Sequence, residues 1–166
     1  IPSIRYWKAK QRIDKQIIVG LHISYRAATN DTALKLEKWI LEKCLGRQVS
    51  KCRFHYLKFA LPYGYDRLEQ FGFTDDYSMA YSDMAGYRAG TSRSFTFYNI
   101  KKEKETKLTI HPLIVMDKTL RLDMKLDVES AYKYIDSLKK ECNAIGGDFT
   151  TLFHNQNVTD LNGWGE

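Results

Sequence analysis

Apolar residues recur along this chain with two different periods, and the two periods separate strands from helices. "KQIIVGLH" (15–22) is a short apolar run bounded by charge and interrupted by glycine, which predicts a strand buried on both faces. Asn30 or Asp31 then stands where it can cap a helix that carries Leu34, Trp39, Ile40, Leu41 and Leu45 and stops at Gly46. "CRFHYLKF" (52–59) reads as a second strand, Pro62 as the break after it, and "YDRLEQFG" (65–72) as a short helix stopped by glycine. "YSMAY" (77–81) is a weaker third strand. Residues 83–99 mix glycine, serine and aromatics without a period and predict a long loop, a kind of segment that often carries function. In "KLTIHPLIVMD" (107–117) the pattern predicts a strand that begins after Pro112. Asp127 opens the clearest helix, with Val128, Ala131, Tyr132, Ile135, Leu138, Cys142 and Ile145 spaced by threes and fours and Gly146-Gly147 at its end. "DFTTLFH" (148–154) closes the pattern as a last strand, and "NQNVTDLNGWGE" beyond it has no period.

Strands alternating with helices imply parallel pairing with helices packed outside, an α/β architecture with a mostly parallel sheet. The whole chain, 1–166, is expected to form a single α/β domain. Its 166 residues bury a sizeable core but fall short of the roughly 250 of a complete α/β barrel, so a small domain and a portion of a larger one both fit.

Composition narrows the classes further. With 43% hydrophobic and 28% charged residues the chain has enough apolar surface to fold, which excludes a disordered segment. No apolar run approaches the roughly 20 residues that span a bilayer. Residues 1–14, "IPSIRYWKAKQRID", lack the apolar centre of a signal peptide, although a leader removed upstream would leave no trace. Cys44, Cys52 and Cys142 are odd in number, fall on apolar positions and show no CxxC spacing, so they are expected as buried free thiols in a reducing compartment. The formal charge of +6 invites a nucleic-acid reading, but the basic clusters are modest. "KKEKE" (101–105) alternates in sign, and Lys139 and Lys140 sit near a helix end where they suit its dipole. The same charge is compatible with a surface that attracts acidic polysaccharide. The Asn30 and Asn157 sequons matter only in a eukaryotic secretory pathway, which nothing in the sequence indicates.

Candidate chemistry follows from where the strands end, because parallel α/β folds gather their working residues at the carboxyl edge of the sheet. His22 ends the first strand, His55 and Lys58 lie along the second, Asp76 and Ser78 stand at the third, Asp117 ends the fourth and His154 the last. Each alone has a plain structural reading: a hydrogen-bonded histidine, or an aspartate that forms a turn. Together they predict one edge of one sheet lined with imidazole and carboxylate, the groups that metal-activated water and proton transfer require.

Five blocks of the sequence, "GLHISY" (20–25), "FHYLKF" (54–59), "LEQFGFTDDYSMAYSDMAGYRAGTSRSFTFYNI" (68–100), "LIVMDKTL" (113–120) and "GGDFTTLFHN" (146–155), resemble consecutive blocks of bacterial polysaccharide deacetylases, the carbohydrate esterases of NodB homology. The likeness is closest to the long branch found in Bacteroidetes and other producers of surface polysaccharide. It implies a deformed (β/α) barrel that uses a divalent metal, most often zinc, to hydrolyse N-acetyl or O-acetyl groups on a sugar polymer. His22 matches the first histidine of the metal motif. His154 matches the histidine of the last motif, the general acid; the base is an aspartate, which the family takes from a pair on an earlier strand, with Asp76 and Asp117 the candidates this chain itself offers. "FHYLKF" takes the place of the motif that walls the groove, so His55 or Lys58 would face metal or substrate. Asp76 and Arg88 follow where the family positions orienting charges, and Tyr87, Arg88 and Arg93 belong to the tyrosine-arginine-alanine-glycine-threonine loop and its flank, expected to meet the acetylated polysaccharide.

The departures from the pattern carry implications of their own. Arg26 stands where a second metal histidine is usual in the family, four residues after the first, and a guanidinium cannot ligate a metal; His55 is the candidate substitute. A strand ending in paired aspartates is not found before His22. The chain therefore resembles the C-terminal part of a longer enzyme, and alone is expected to lack turnover. Two rival functions remain: a relative that binds glycan without catalysis through Tyr77, Tyr81, Tyr87, Phe95 and Trp164, and a phosphate or nucleic-acid binder using Arg88 and Arg93.

Overall fold

Helix caps in the sequence become helix ends in the structure, a computed structural model that describes residues 17–154 and residue 157. Asn30, in extended conformation, accepts the backbone N–H of Ala33 at 2.8 Å and starts helix α1, Asp31–Leu45. Gly46 ends it in the left-handed region (φ 67°), its N–H donating to the Glu42 carbonyl at 2.8 Å. These described residues fall into two compact units that share the chain alternately: residues 17–76 with 96–109, and residues 77–95 with 110–154 and 157.

The first unit is an α/β layer. Strand β1 (Leu21–Ile23) pairs in parallel with β2 (Lys51–Phe54), setting Leu21 opposite Cys52 and Ile23 opposite Phe54, and β2 pairs in parallel with β3 (Asp75–Asp76). Helix α1 forms the crossover between β1 and β2, and helix α2 (Tyr63–Gln70) lies between β2 and β3 in sequence. Strands β4 (Phe95–Asn99) and β5 (Lys104–Ile110) complete the order β1-β2-β3-β5-β4. Only four residues join β4 to β5, too few for a parallel crossover, so the pair is an antiparallel hairpin on the edge of a mostly parallel sheet. Leu21, Ile23, Leu34, Cys44, Cys52, Phe54, Tyr65, Leu68 and Phe73 are buried. Arg67 ties the layer together, donating from Nε to Asp31 Oδ1 at 2.7 Å and to the carbonyls of Ala27 and Ala28.

The second unit centres on two short parallel strands, β6 (Val115–Met116) and β7 (Thr151–Leu152), with helix α3 (Val128–Ala144) between them in sequence. Asp127 caps α3 by accepting the Ser130 N–H at 2.7 Å. Ala131, Leu138 and Cys142 on α3 pack with Ile114, Val115, Leu120 and Ala85 in one core. Residues 77–94 form a loop, and backbone hydrogen bonds pin it: Leu113 N–H to Met79 O at 3.0 Å and Gly86 N–H to Ile114 O at 2.8 Å.

Several sequence expectations change here. The α/β class with a mostly parallel sheet stands, but the strands belong to two sheets rather than one, with β1 and β3 in the first and β6 and β7 in the second. Among the described residues β1 spans Leu21–Ile23 and alternates, with His22 exposed between two buried neighbours, so it is not buried on both faces and His22 lies within the strand instead of ending it. The second strand stops at Phe54, where the chain turns sharply. The third falls at Asp75–Asp76, just before "YSMAY". The expected loop 83–99 ends in β4, and "KETKLTI" (104–110) is a strand before Pro112, with Thr106, Leu108 and Ile110 buried and Lys107 exposed. All three cysteines are buried free thiols as expected. Among the described residues no helix is long and apolar enough to cross a membrane.

Candidate functional site

Parallel pairing brings the carboxyl ends of β6 and β7 to the same edge, and two predicted site residues meet there. Asp117 follows β6 directly, and His154 comes two residues after β7. His154 Nδ1 lies 2.7 Å from Asp117 Oδ1, and the His154 backbone N–H donates to Oδ2 at 2.6 Å. Asn157 Nδ2 adds a bond to Oδ2 at 2.9 Å, and the Lys118 N–H one to Oδ1 at 2.7 Å. Burial pushes the Asp117 carboxyl up, but the bonds from His154, Asn157 and Lys118 outweigh it and hold the group below the usual carboxylate range. The Asp117 side chain is 1% exposed and that of His154 34%, so an ionised carboxylate sits inside and an imidazole reaches outward from it. Because Asp117 engages Nδ1, Nε2 is the nitrogen placed to exchange a proton with a reacting group.

The first unit holds the other two histidines of the expected site. His22 and His55 face each other across β1 and the turn after β2, ring centres 4.8 Å apart and edge to face. His55 is stacked on Tyr56 at 4.3 Å, and the Lys58 ammonium lies 3.4 Å from the centre of the Tyr25 ring. A hydrolytic zinc ion takes three protein ligands in addition to its water. His22 and His55 supply two imidazoles, and among the described residues no group of three or more histidine, cysteine, aspartate or glutamate side chains is placed to hold a metal. The described residues therefore do not by themselves make the expected zinc centre.

The remaining candidates have structural employment. Asp76 is fully buried and accepts the Tyr65 hydroxyl at 3.2 Å, which places it in the interior of the first unit. Arg88 donates to the Ala80 carbonyl at 2.9 Å within the loop. Arg93 donates through Nε at 3.0 Å, and also through Nη2, to the Ile145 carbonyl at the C-terminal end of α3, where a guanidinium suits the helix dipole. The Tyr87 hydroxyl donates to the Leu138 carbonyl at 3.1 Å and lies 3.4 Å from Cys142 Sγ; burial, then the Cys142 contact, push its ionisation well above the ordinary tyrosine value. Among the aromatics expected to stack on sugar, Tyr77 lies flat on His111 at 4.4 Å, Tyr81 is exposed and Phe95 half-buried; Trp164 lies outside the described residues.

One polar cluster escaped the sequence reading. Ser94 Oγ lies 2.9 Å from His111 Nδ1 and donates to Asp148 Oδ2 at 3.1 Å. The serine is in the middle, whereas a nucleophilic triad needs the histidine there, so the cluster ties together three separate segments of the second unit. Nothing in the local sequence pattern flags it, because its three members lie far apart in the chain.

The chain matches no family model, no curated protein and no solved structure among those with which it was compared.

Proposed function

We propose that this chain belongs to a hydrolase that removes acetyl groups from a polysaccharide, with the Asp117–His154 dyad as its proton-transfer element. The single observation that carries the reading is the 2.7 Å bond from a buried, ionised Asp117 to Nδ1 of a partly exposed His154. In acyl transfer an imidazole held this way works twice. Nε2 takes a proton from water as the water oxygen bonds to the acetyl carbon, and returns it to the sugar nitrogen or oxygen as the acyl bond breaks, leaving acetate and a free amine or alcohol. Asp117 keeps the imidazole in one tautomer and stabilises the imidazolium between these steps. The resemblance of "GLHISY", "LIVMDKTL" and "GGDFTTLFHN" to polysaccharide deacetylases supports the choice of substrate and of a deformed barrel as the complete fold.

The test is acetate release by the full-length protein from acetylated oligosaccharides, compared with His154→Ala. The expected result is turnover that falls by roughly 10²- to 10⁴-fold in the variant. Full turnover in His154→Ala, or none in the native protein with N- and O-acetylated substrates alike, would overturn the reading.

A further inference from the structure

The turn after β2 holds two consecutive residues, Tyr56 (φ 55°) and Leu57 (φ 52°), in the left-handed region, and neither is glycine. A Cβ there crowds the following carbonyl oxygen, so such residues persist only where their surroundings fix them, and they cluster at ligand sites. The two side chains divide the work. Leu57 is buried and anchors the turn in the core, whereas Tyr56 is thrown outward and is 68% exposed. Its ring nevertheless lies on His55 at an interplanar angle of 17° while His55 abuts His22. Tyr25, 55% exposed, stands edge-on to Tyr56 at 6.3 Å, with the Lys58 ammonium over its face. The strained turn thus presents two preorganised aromatic surfaces beside one ammonium and two imidazoles.

That combination suits a pyranose. One face of a sugar ring is lined with C–H groups and stacks on an aromatic ring, while its edge substituents need hydrogen-bond donors or charge. Here the polar groups beside the rings are a cation and two imidazoles, which selects a sugar bearing a carboxylate, and the chain's net charge of +6 favours the approach of a polyanion. Tyr25 and Tyr56 are nearly perpendicular, at 81°, so they offer one face and one edge instead of the successive parallel faces on which nucleic-acid bases stack. We infer that Tyr25, Tyr56 and Lys58, backed by His22 and His55, form a binding site for a uronic-acid residue of an acidic polysaccharide. The inference rests on the polysaccharide reading above for its class of ligand, and needs no acetyl chemistry.

Trigalacturonate, its methyl ester and oligothymidylate are titrated into the protein, with calorimetry for affinity and proton–carbon NMR of the histidine and tyrosine rings for location. The expected result is saturable binding of trigalacturonate, with shifts concentrated on Tyr25, Tyr56, His22 and His55, and binding of the ester weaker by about tenfold or more. Lys58→Met should erase the difference between acid and ester, and Tyr25→Ala/Tyr56→Ala should weaken both. Absence of saturable binding, shifts centred on other residues, equal affinity for the ester, or tighter binding of oligothymidylate would each overturn it. If the tyrosine variants do not fold, the shifts in the native protein decide alone. Acetate release is not read at any point, so failure here and failure of the deacetylase reading are separate results.

Discussion

Asp117 and His154 stand just past the carboxyl ends of two neighbouring parallel strands, and a 2.7 Å bond joins Asp117 Oδ1 to His154 Nδ1. The second carboxylate oxygen receives the backbone of the same histidine. Asp117 therefore fixes both the ring and the chain that carries it, and a change at Asp117 should be felt in stability as well as in proton transfer.

Asp117→Asn tests that coupling. An amide nitrogen would face a backbone N–H or the Nδ1 proton, leaving a buried donor unpaired, so the variant should lose about 1–3 kcal/mol of unfolding free energy. Urea unfolding of native and variant chains reads the difference; a variant as stable as the native protein would mean that the carboxylate is not the hub of this edge.

The same carboxylate makes stability depend on pH in a defined direction. Its ionisation is depressed in the folded state, so its contribution is present above the ordinary carboxylate value of 3.8 and is lost as pH falls from there through the lower folded value. Thermal unfolding followed from neutral pH into this acid range should show a decline in native protein that is shallower in Asp117→Asn, where the group cannot titrate.

Gly147 and Ser92 form a second checkable pair. A Cβ on Gly147 would fall 1.9 Å from Ser92 Oγ, so Gly147→Ala should destabilise by about 1–3 kcal/mol through overpacking. Ser92 Oγ is buried with no hydrogen-bond partner among the described residues, so Ser92→Ala should be close to neutral or mildly stabilising. In the Ser92→Ala background the cost of Gly147→Ala should shrink, and a double-mutant cycle measures the coupling. Strict additivity would refute the contact.

Asn30→Ala removes the side-chain acceptor of the Ala33 N–H and should cost about 1 kcal/mol. Asn30→Asp keeps an acceptor next to the positive end of the helix and should retain most of the stability.

The helices were legible because their signals are local. Asn30 and Gly46 bracket α1, and Asp127 with the threes and fours from Val128 to Cys142 marks α3. Strands of two or three residues carry too few positions to show a period, so β3 was placed a residue or two late, whereas β6 fell where the run after Pro112 put it. The alternation of Thr106, Leu108 and Ile110 was available, but the longer apolar run after Pro112 obscured it. Asp117 and His154 could each be picked as strand-end residues; their bond could not, because it depends on β6 and β7 being neighbours across 34 intervening residues, Asp117 to Thr150, in the sequence. For the same reason the sequence offered no way to see that Arg93 holds the end of α3 or that Ser94 joins His111 to Asp148.

The alternation of the two units along the chain has a consequence for biosynthesis. Among the described residues the first unit takes 17–76 and then 96–109, and the second takes 77–95 and then 110–154 with 157. During translation the parallel core of β1, β2 and β3 emerges before the β4–β5 hairpin that completes its sheet, and by then a stretch of the second unit has been made and awaits β6. Neither unit is a contiguous piece of nascent chain, so expression boundaries set anywhere between 77 and 109 sever both, and the first unit closes only once residue 109 has emerged behind residues 77–95 of the second.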